Sequence, residues 1–282
     1  MDDNRSEWFW QCTIPEGTEL QEHFLKTERV LIIGDRCKID YGLSGDEIIV
    51  GEFTSINGNV NSENDLRVDN WAEIKGDVHC GANAYLGEGV KIAGRLVVEG
   101  DLDLGDNVSI SEGFEAKGWI SIRNPMPVIT YILLYLVAVL GLEKEEEISE
   151  FFHKLFSDDE AEGKTTPLVI PPNSVLNMQL FSVPKSMTIG KGCRLHGNIR
   201  AASVHVHEDN TVFGSLTADS DIILEKNSVV HGAVTSSSGE VTVMPGVHVL
   251  GNVRCSSVIL DEDARLDGTI KAPDGVKIVR KR

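Results

Sequence analysis

Short apolar stretches centred on glycine recur along the chain. "INGNV" (56–60), "IKGDV" (74–78) and "IAGRL" (92–96) each carry apolar residues on both sides of a glycine, and five similar stretches lie between residues 195 and 270. The glycines of the first three are 18 residues apart, and those of the later five are separated by 17 to 19 residues. A fixed period of this length indicates a repeat architecture.

Each of these stretches is accompanied by a second one in which apolar and polar residues alternate. In "LDLGDNVSI" (102–110) and "IILEKNSVV" (222–230), Leu, Ile and Val fall on one face and the polar residues on the other, as in a β-strand. Gly, Asn and Asp separate the strands and suit tight corners. Short strands with corners at a period near 18 predict an all-β solenoid, a three-sided β-helix whose coils stack about 4.8 Å apart.

The ends of such a solenoid carry unpaired strands and an open slice of core, so they must be capped or paired with another molecule. The chain finishes almost on a strand, "GVKIVRKR" (275–282), without a capping helix in its sequence. We therefore predict a polymer interface at Val276, Ile278 and Val279.

One segment breaks the repeat. Residues 129–142, "ITYILLYLVAVLGL", are apolar on every side, and after an acidic run "ISEFFHKLF" (148–156) shows the apolar stripe of an amphipathic helix. The pattern predicts a helical hairpin inserted between two β-arrays. Its expected oligomer or membrane interface consists of Ile129, Ile132, Leu133, Leu136, Val137, Leu140, Phe152 and Phe156.

Four surroundings for this hairpin stay open. It can be buried by its partner helix and by a second subunit or the β-helix flank, inserted shallowly into a membrane, buried within the monomer, or placed across a membrane. A span requires roughly 20 apolar residues, and it would put two similar β-arrays on opposite sides of the bilayer.

The patterns divide the chain into four parts. Residues 1–27 form an N-terminal leader or cap, 28–124 a first β-helix array, 125–163 the apolar hairpin, and 164–282 a second array. The sequence leaves open whether the two arrays form one column or two.

With this glycine-centred motif at this spacing, the chain resembles the bactofilins, which are polymer-forming cytoskeletal proteins. The resemblance covers about 30–122 and 187–279, and the two-array organisation resembles larger, archaeal-type variants. It implies right-handed winding and end-to-end, nucleotide-independent assembly into non-polar filaments that act as scaffolds, often at membranes. The expected partner is therefore the chain itself, with a membrane surface reached through the hairpin.

Composition narrows the function further. A net charge of −18 argues against nucleic acid as a partner, since nucleic-acid binding depends on Lys and Arg. The five cysteines are scattered and form no CxxC pair, which favours small buried side chains over a zinc site or disulfides. The N-terminus has acids where a secretory signal needs basic residues, so we expect a cytoplasmic protein.

Enzymes with related repeats, the hexapeptide acyltransferases and β-helical metal-dependent carbonic anhydrases, are the alternative class. His205 and His207 alternate with valines and share one outer face, which makes them the candidate metal ligands, but a zinc site requires a third. His196 and His231 occupy the same motif position two coils apart. We expect no cofactor, no bound metal and no catalytic residue, and a scaffold rather than an enzyme.

Overall fold

The computed structural model describes residues 11–21, 23–122 and 166–280. Every helix or strand within these ranges is a β-strand, which confirms the predicted all-β solenoid. The predicted helical hairpin at 125–163 lies outside the described residues. Among the described residues, none forms a helix with the length and apolar character needed to cross a membrane.

The strands are short and follow one another at the predicted corners. Those before the first array are β1 (Cys12–Ile14), β2 (Glu19–Leu20) and β3 (Phe24–Lys26). The first array contains β4 (Leu31–Ile33), β5 (Lys38–Ile39), β6 (Gly42–Gly45), β7 (Ile48–Val50), β8 (Ser55–Ile56), β9 (Val60–Ser62), β10 (Leu66–Val68), β11 (Glu73–Ile74), β12 (Val78–Cys80), β13 (Ala84–Leu86), β14 (Lys91–Ile92), β15 (Leu96–Val98), β16 (Leu102–Leu104), β17 (Ser109–Ile110), β18 (Phe114–Ala116) and β19 (Ile120–Ile122). The remaining strands are β20 (Leu168–Ile170), β21 (Val175–Leu176), β22 (Leu180–Ser182), β23 (Met187–Ile189), β24 (Arg194–His196), β25 (Asn198–Ala201), β26 (Val204–Val206), β27 (Thr211–Phe213), β28 (Leu216–Ala218), β29 (Ile222–Leu224), β30 (Val229–Val230), β31 (Val234–Ser236), β32 (Glu240–Val243), β33 (His248–Val249), β34 (Val253–Arg254), β35 (Ser257–Asp261), β36 (Arg265–Leu266), β37 (Ile270–Lys271) and β38 (Gly275–Val279).

Three sheets form the three sides of the solenoid. Sheet A has 14 strands in the order β19-β16-β13-β10-β7-β4-β20-β1-β23-β26-β29-β32-β35-β38. Sheet B has 12, in the order β18-β15-β12-β9-β6-β3-β2-β24-β27-β30-β33-β36, and sheet C has 12, in the order β17-β14-β11-β8-β5-β21-β22-β25-β28-β31-β34-β37. Because each sheet runs through both arrays, they form one column, about 60 Å long at the usual strand spacing.

Stacked apolar residues fill the column. In sheet A, for example, Leu31, Ile48 and Leu66 lie directly above one another and are fully buried. The repeated glycine has a packing reason at Gly58, where a Cβ atom would lie 2.3 Å from the backbone nitrogen of Gly42 in the adjacent coil. Glycine thus lets consecutive coils approach at this corner, which explains the recurrence of the motif.

The two arrays are internal copies of each other, offset by 156 residues. "IGDRCKI" (33–39) corresponds to "IGKGCRL" (189–195), and Ile14-Pro15 corresponds to Ile170-Pro171. The glycine period predicts both arrays but not this register. The structure shows the register, because strands separated by 156 residues occupy equivalent places in the column.

The copies meet back to back. The described strand pairs are parallel except at the centre of the column, where each sheet holds one antiparallel pair: β1 with β20, β2 with β3, and β21 with β22. Thr13 pairs with Val169, its own counterpart at the offset of 156, so the two halves are related by an approximate two-fold axis at this point. In both arrays, successive coils consequently lie farther and farther from the central junction.

The junction is also a strand exchange. β20 stacks in parallel on β4, where a sequential solenoid would place β1, while β1 stacks on β23. The backbone amide of Gly34 donates to the carbonyl of Ile170 at 2.8 Å, and equivalently Gly190 donates to Ile14 at 2.7 Å. Each half therefore supplies strands that complete the first coil of the other half.

Buried thiols reinforce the exchange. The Cys37 thiol contacts the carbonyl oxygen of Pro171 at 3.2 Å, and the Cys193 thiol contacts that of Pro15 at 3.1 Å. The sequence predicts a leader or cap over residues 1–27. The described residues from 11 to 26 instead contribute β1, β2 and β3 to the sheets of the column.

Candidate functional site

In the part of the chain that the structure describes, apolar residues are exposed at both ends of the column. At one end Ile120 and Ile122 of β19 continue the rows that contain Leu102 and Leu104, and no described strand covers them. Ile122 is consequently 79% exposed. Since exposed apolar surface is unfavourable in water, such an end favours contact with another apolar surface.

The opposite end has the same construction. Val276 and Ile278 of β38 continue the rows of Val258 and Leu260, and Ile278 is 57% exposed. Val276 and Ile278 stand 156 residues after Ile120 and Ile122. Within the described residues, the two ends of the rod therefore have the same construction.

The predicted interface residues fall at this second end. Val276, Ile278 and Val279 all lie on β38, the outermost strand of sheet A, and all are exposed. Sequence reasoning missed the matching residues of the first end, Ile120 and Ile122, because the chain continues beyond them into another apolar segment. Residues 129–156, with the eight predicted hairpin contacts, lie outside the described part of the chain.

A second feature lies near the junction, on the outer face of sheet A. His205 projects from the middle of β26 and His207 follows that strand, and their rings stack with centroids 4.4 Å apart. Glu225, which follows β29 in the next coil, contacts both: its carboxylate lies 2.7 Å from Nε2 of His205 and 3.2 Å from Nδ1 of His207. We call these three residues the His-His-Glu cluster.

Sequence reasoning found the two histidines but missed Glu225. The signal was the repeat itself, because in-register parallel pairing places Leu224 beside Val206 and hence Glu225 beside His207, one coil later. The three side chains are partly buried, with exposures of 34%, 16% and 15% for His205, His207 and Glu225. Their ligand atoms all lie within 4.8 Å of one another.

A cavity of about 360 Å³ adjoins the cluster. His207 and Glu225 line it on one side, and the exchanged strand β1 contributes Thr13 and Ile14 on another. Lys191, also in the wall, forms an ion pair with Glu208 at 3.2 Å. The cavity is therefore polar on the cluster side and depends on the junction for its shape.

The other paired histidines have a different environment. His196 and His231 stack on opposite faces of Phe213, with centroids 4.4 and 4.7 Å from it, and the Arg194 guanidinium lies 4.9 Å from the same ring. This aromatic row links three coils of sheet B. Among the described residues, no third ligand-bearing side chain joins His196 or His231.

Over the described residues the column is a repeat protein of the β-solenoid class, with apolar residues exposed at each end. Within it, residues 183–278 match the model of the bactofilin family, described as polymer-forming cytoskeletal. The match covers about a third of the chain and confirms the resemblance for the second array. No curated protein and no solved structure matches the chain.

Proposed function

We propose that this protein is a self-assembling scaffold whose rods join end to end without a nucleotide. The observation that carries the proposal is the exposed row at each end, Ile120 and Ile122 on β19 and Val276 and Ile278 on β38. The polymer-forming description of the family matched by the second array supports it. The role is structural, and no residue is given a catalytic part.

Joining two ends of the same type would continue the core across the contact. The outermost strands also carry unpaired backbone groups on one side, and pairing with the corresponding strand of another rod satisfies them. A contact between like ends has two-fold symmetry. Because both ends of this rod are of one type, the resulting filament has no polarity.

The test is direct observation of assembly. Purified protein without nucleotide is expected to form filaments in negative-stain micrographs and to sediment as a concentration-dependent polymer. A protein that stays monomeric across salt and protein concentration would refute the proposal.

Charges at the ends separate two modes of joining. Ile278→Asp and Ile122→Asp each place a carboxylate in one end contact, at a cost of several kcal/mol. If each end joins the same end of another rod, each single variant stops at dimers through its intact end, and the double variant is monomeric. If the Ile122 end of one rod joins the Ile278 end of another, each single variant is monomeric, and mixing the two variants yields dimers.

A matched control uses the outer face of the same strand. Ser121→Asp adds a similar charge between Ile120 and Ile122 but faces away from the core row, so filaments should persist. Loss of filaments in Ser121→Asp as well would mean that added charge, rather than the open core, controls assembly.

Membrane attachment through residues 129–156 stays a prediction from the sequence. If the segment docks on lipid, the intact protein should float with liposomes, whereas a variant lacking residues 127–156 should not float and should still assemble. A detergent-free soluble oligomer that does not bind liposomes would contradict the membrane role.

A further inference from the structure

We propose that the His-His-Glu cluster binds a divalent transition-metal ion, with zinc as its test ligand. The site consists of His205 and His207 from one coil and Glu225 from the next. It is separate from the rod ends, and it stands or falls independently of filament assembly.

The donor atoms suit such an ion. Zinc is commonly held by imidazole nitrogens and a carboxylate at 2.0 to 2.2 Å, and catalytic or exchangeable sites often use three protein ligands plus water. In the tetrahedral arrangement, ligand atoms are roughly 3.3 Å apart. The contacts from Glu225 to His205 and His207, at 2.7 and 3.2 Å, already bring the donors near this spacing.

The internal copy shows that the solenoid does not require the cluster. At the offset of 156, His205, His207 and Glu225 correspond to Ile49, Gly51 and Asp69. Those residue types maintain the same pairing of coils without any imidazole. The histidines are therefore a departure from the shared pattern in one half of the molecule, at one place on sheet A.

The adjoining cavity leaves room for a further ligand. His207 and Glu225 both border it, so an ion held between them would face a space of about 360 Å³. Water could complete the coordination from this side. Strand β1 closes part of the cavity, so the site includes a wall from the exchanged junction.

Isothermal titration of metal-depleted, tag-free protein with zinc sulfate tests the proposal. We expect one ion per chain. His207→Ala and Glu225→Gln should each weaken binding by about 100-fold or more, since loss of an outer hydrogen-bonding partner alone costs 10- to 100-fold. Glu225→Gln keeps the side-chain size, so it tests the carboxylate even if His207→Ala folds poorly.

His248→Ala is the matched control. His248 also contacts a carboxylate of the next coil, with Nε2 2.8 Å from Asp267, but among the described residues it belongs to no group of three ligands. Its loss should leave zinc binding unchanged. No stoichiometric binding by the intact protein, or equal binding by Glu225→Gln, would overturn the proposal.

Discussion

The exchanged junction makes a reciprocal prediction about Ile14 and Ile170. Both side chains are fully buried and equivalent at the offset of 156. In the exchanged arrangement Ile14 pairs with Ile189 of β23, and Ile170 pairs with Ile33 of β4. We therefore expect Ile14→Ala to loosen the second array first, and Ile170→Ala to loosen the first array first.

The magnitude follows from burial. Truncating a fully buried Ile to Ala costs about 2 to 5 kcal/mol, through lost apolar contact and the cavity left behind. If the substitution lowers the free energy of local opening by this amount, protected amides exchange about 30-fold faster or more, since 1.4 kcal/mol corresponds to a factor of ten. The backbone bonds from Gly190 to Ile14 and from Gly34 to Ile170 are the ones to follow.

Hydrogen exchange read by mass spectrometry gives the location. Ile14→Ala should accelerate peptides covering 187–190 more than those covering 31–34, and Ile170→Ala should do the reverse. Leu102→Ala, an equally buried change in β16 far from the junction, is the control and should affect neither peptide strongly. If Ile14→Ala instead accelerates 31–34 first, the strands are stacked in sequence order and the exchange is wrong.

Two further predictions concern the interior. Gly76→Ala should lower the free energy of unfolding by about 1 to 3 kcal/mol, because its Cβ atom would lie 2.6 Å from the Gly58 carbonyl carbon; an unchanged urea midpoint would contradict this. Burial raises the pKa of the Cys37 thiol to about 12 and that of Cys193 to about 11, both above the ordinary 9.0. These thiols stay protonated when unfolded thiols ionise, so iodoacetamide at pH 9 should modify them only after urea unfolding; rapid native modification would contradict their burial.

The three-sided coil could be predicted from the sequence because the patterns that define it lie within short stretches of the chain. Apolar alternation and the glycine period report directly on inward positions and on corners such as the one at Gly58, and they gave the three-sided solenoid. The pattern also placed Val276 and Ile278 on a strand, and the structure has them on β38, the outermost described strand of sheet A. The handedness of the winding rested on resemblance alone and stays a prediction.

The junction and the cluster depend on contacts that the repeat does not encode by itself. The sequence places β1 in an N-terminal leader or cap, and nothing in Cys12–Ile14 says that its neighbour is β23. Nothing in the local sequence singles out Glu225, because its contacts with His205 and His207 form only when one coil lies on the next. The exchange is a long-range choice among similar strands, which sequence periodicity cannot rank.

Strand exchange also imposes an order on folding during synthesis. β4 pairs with β7 on one side, but it lacks its parallel neighbour on the junction side until β20 has been made, and Leu168 follows Leu31 by 137 positions. At 5 to 20 residues per second, the nascent first array waits about 7 to 27 s with its inner coil uncovered. During that interval the open coil can pair with another nascent chain, so ribosomes translating one message would be the first place where two copies become entangled.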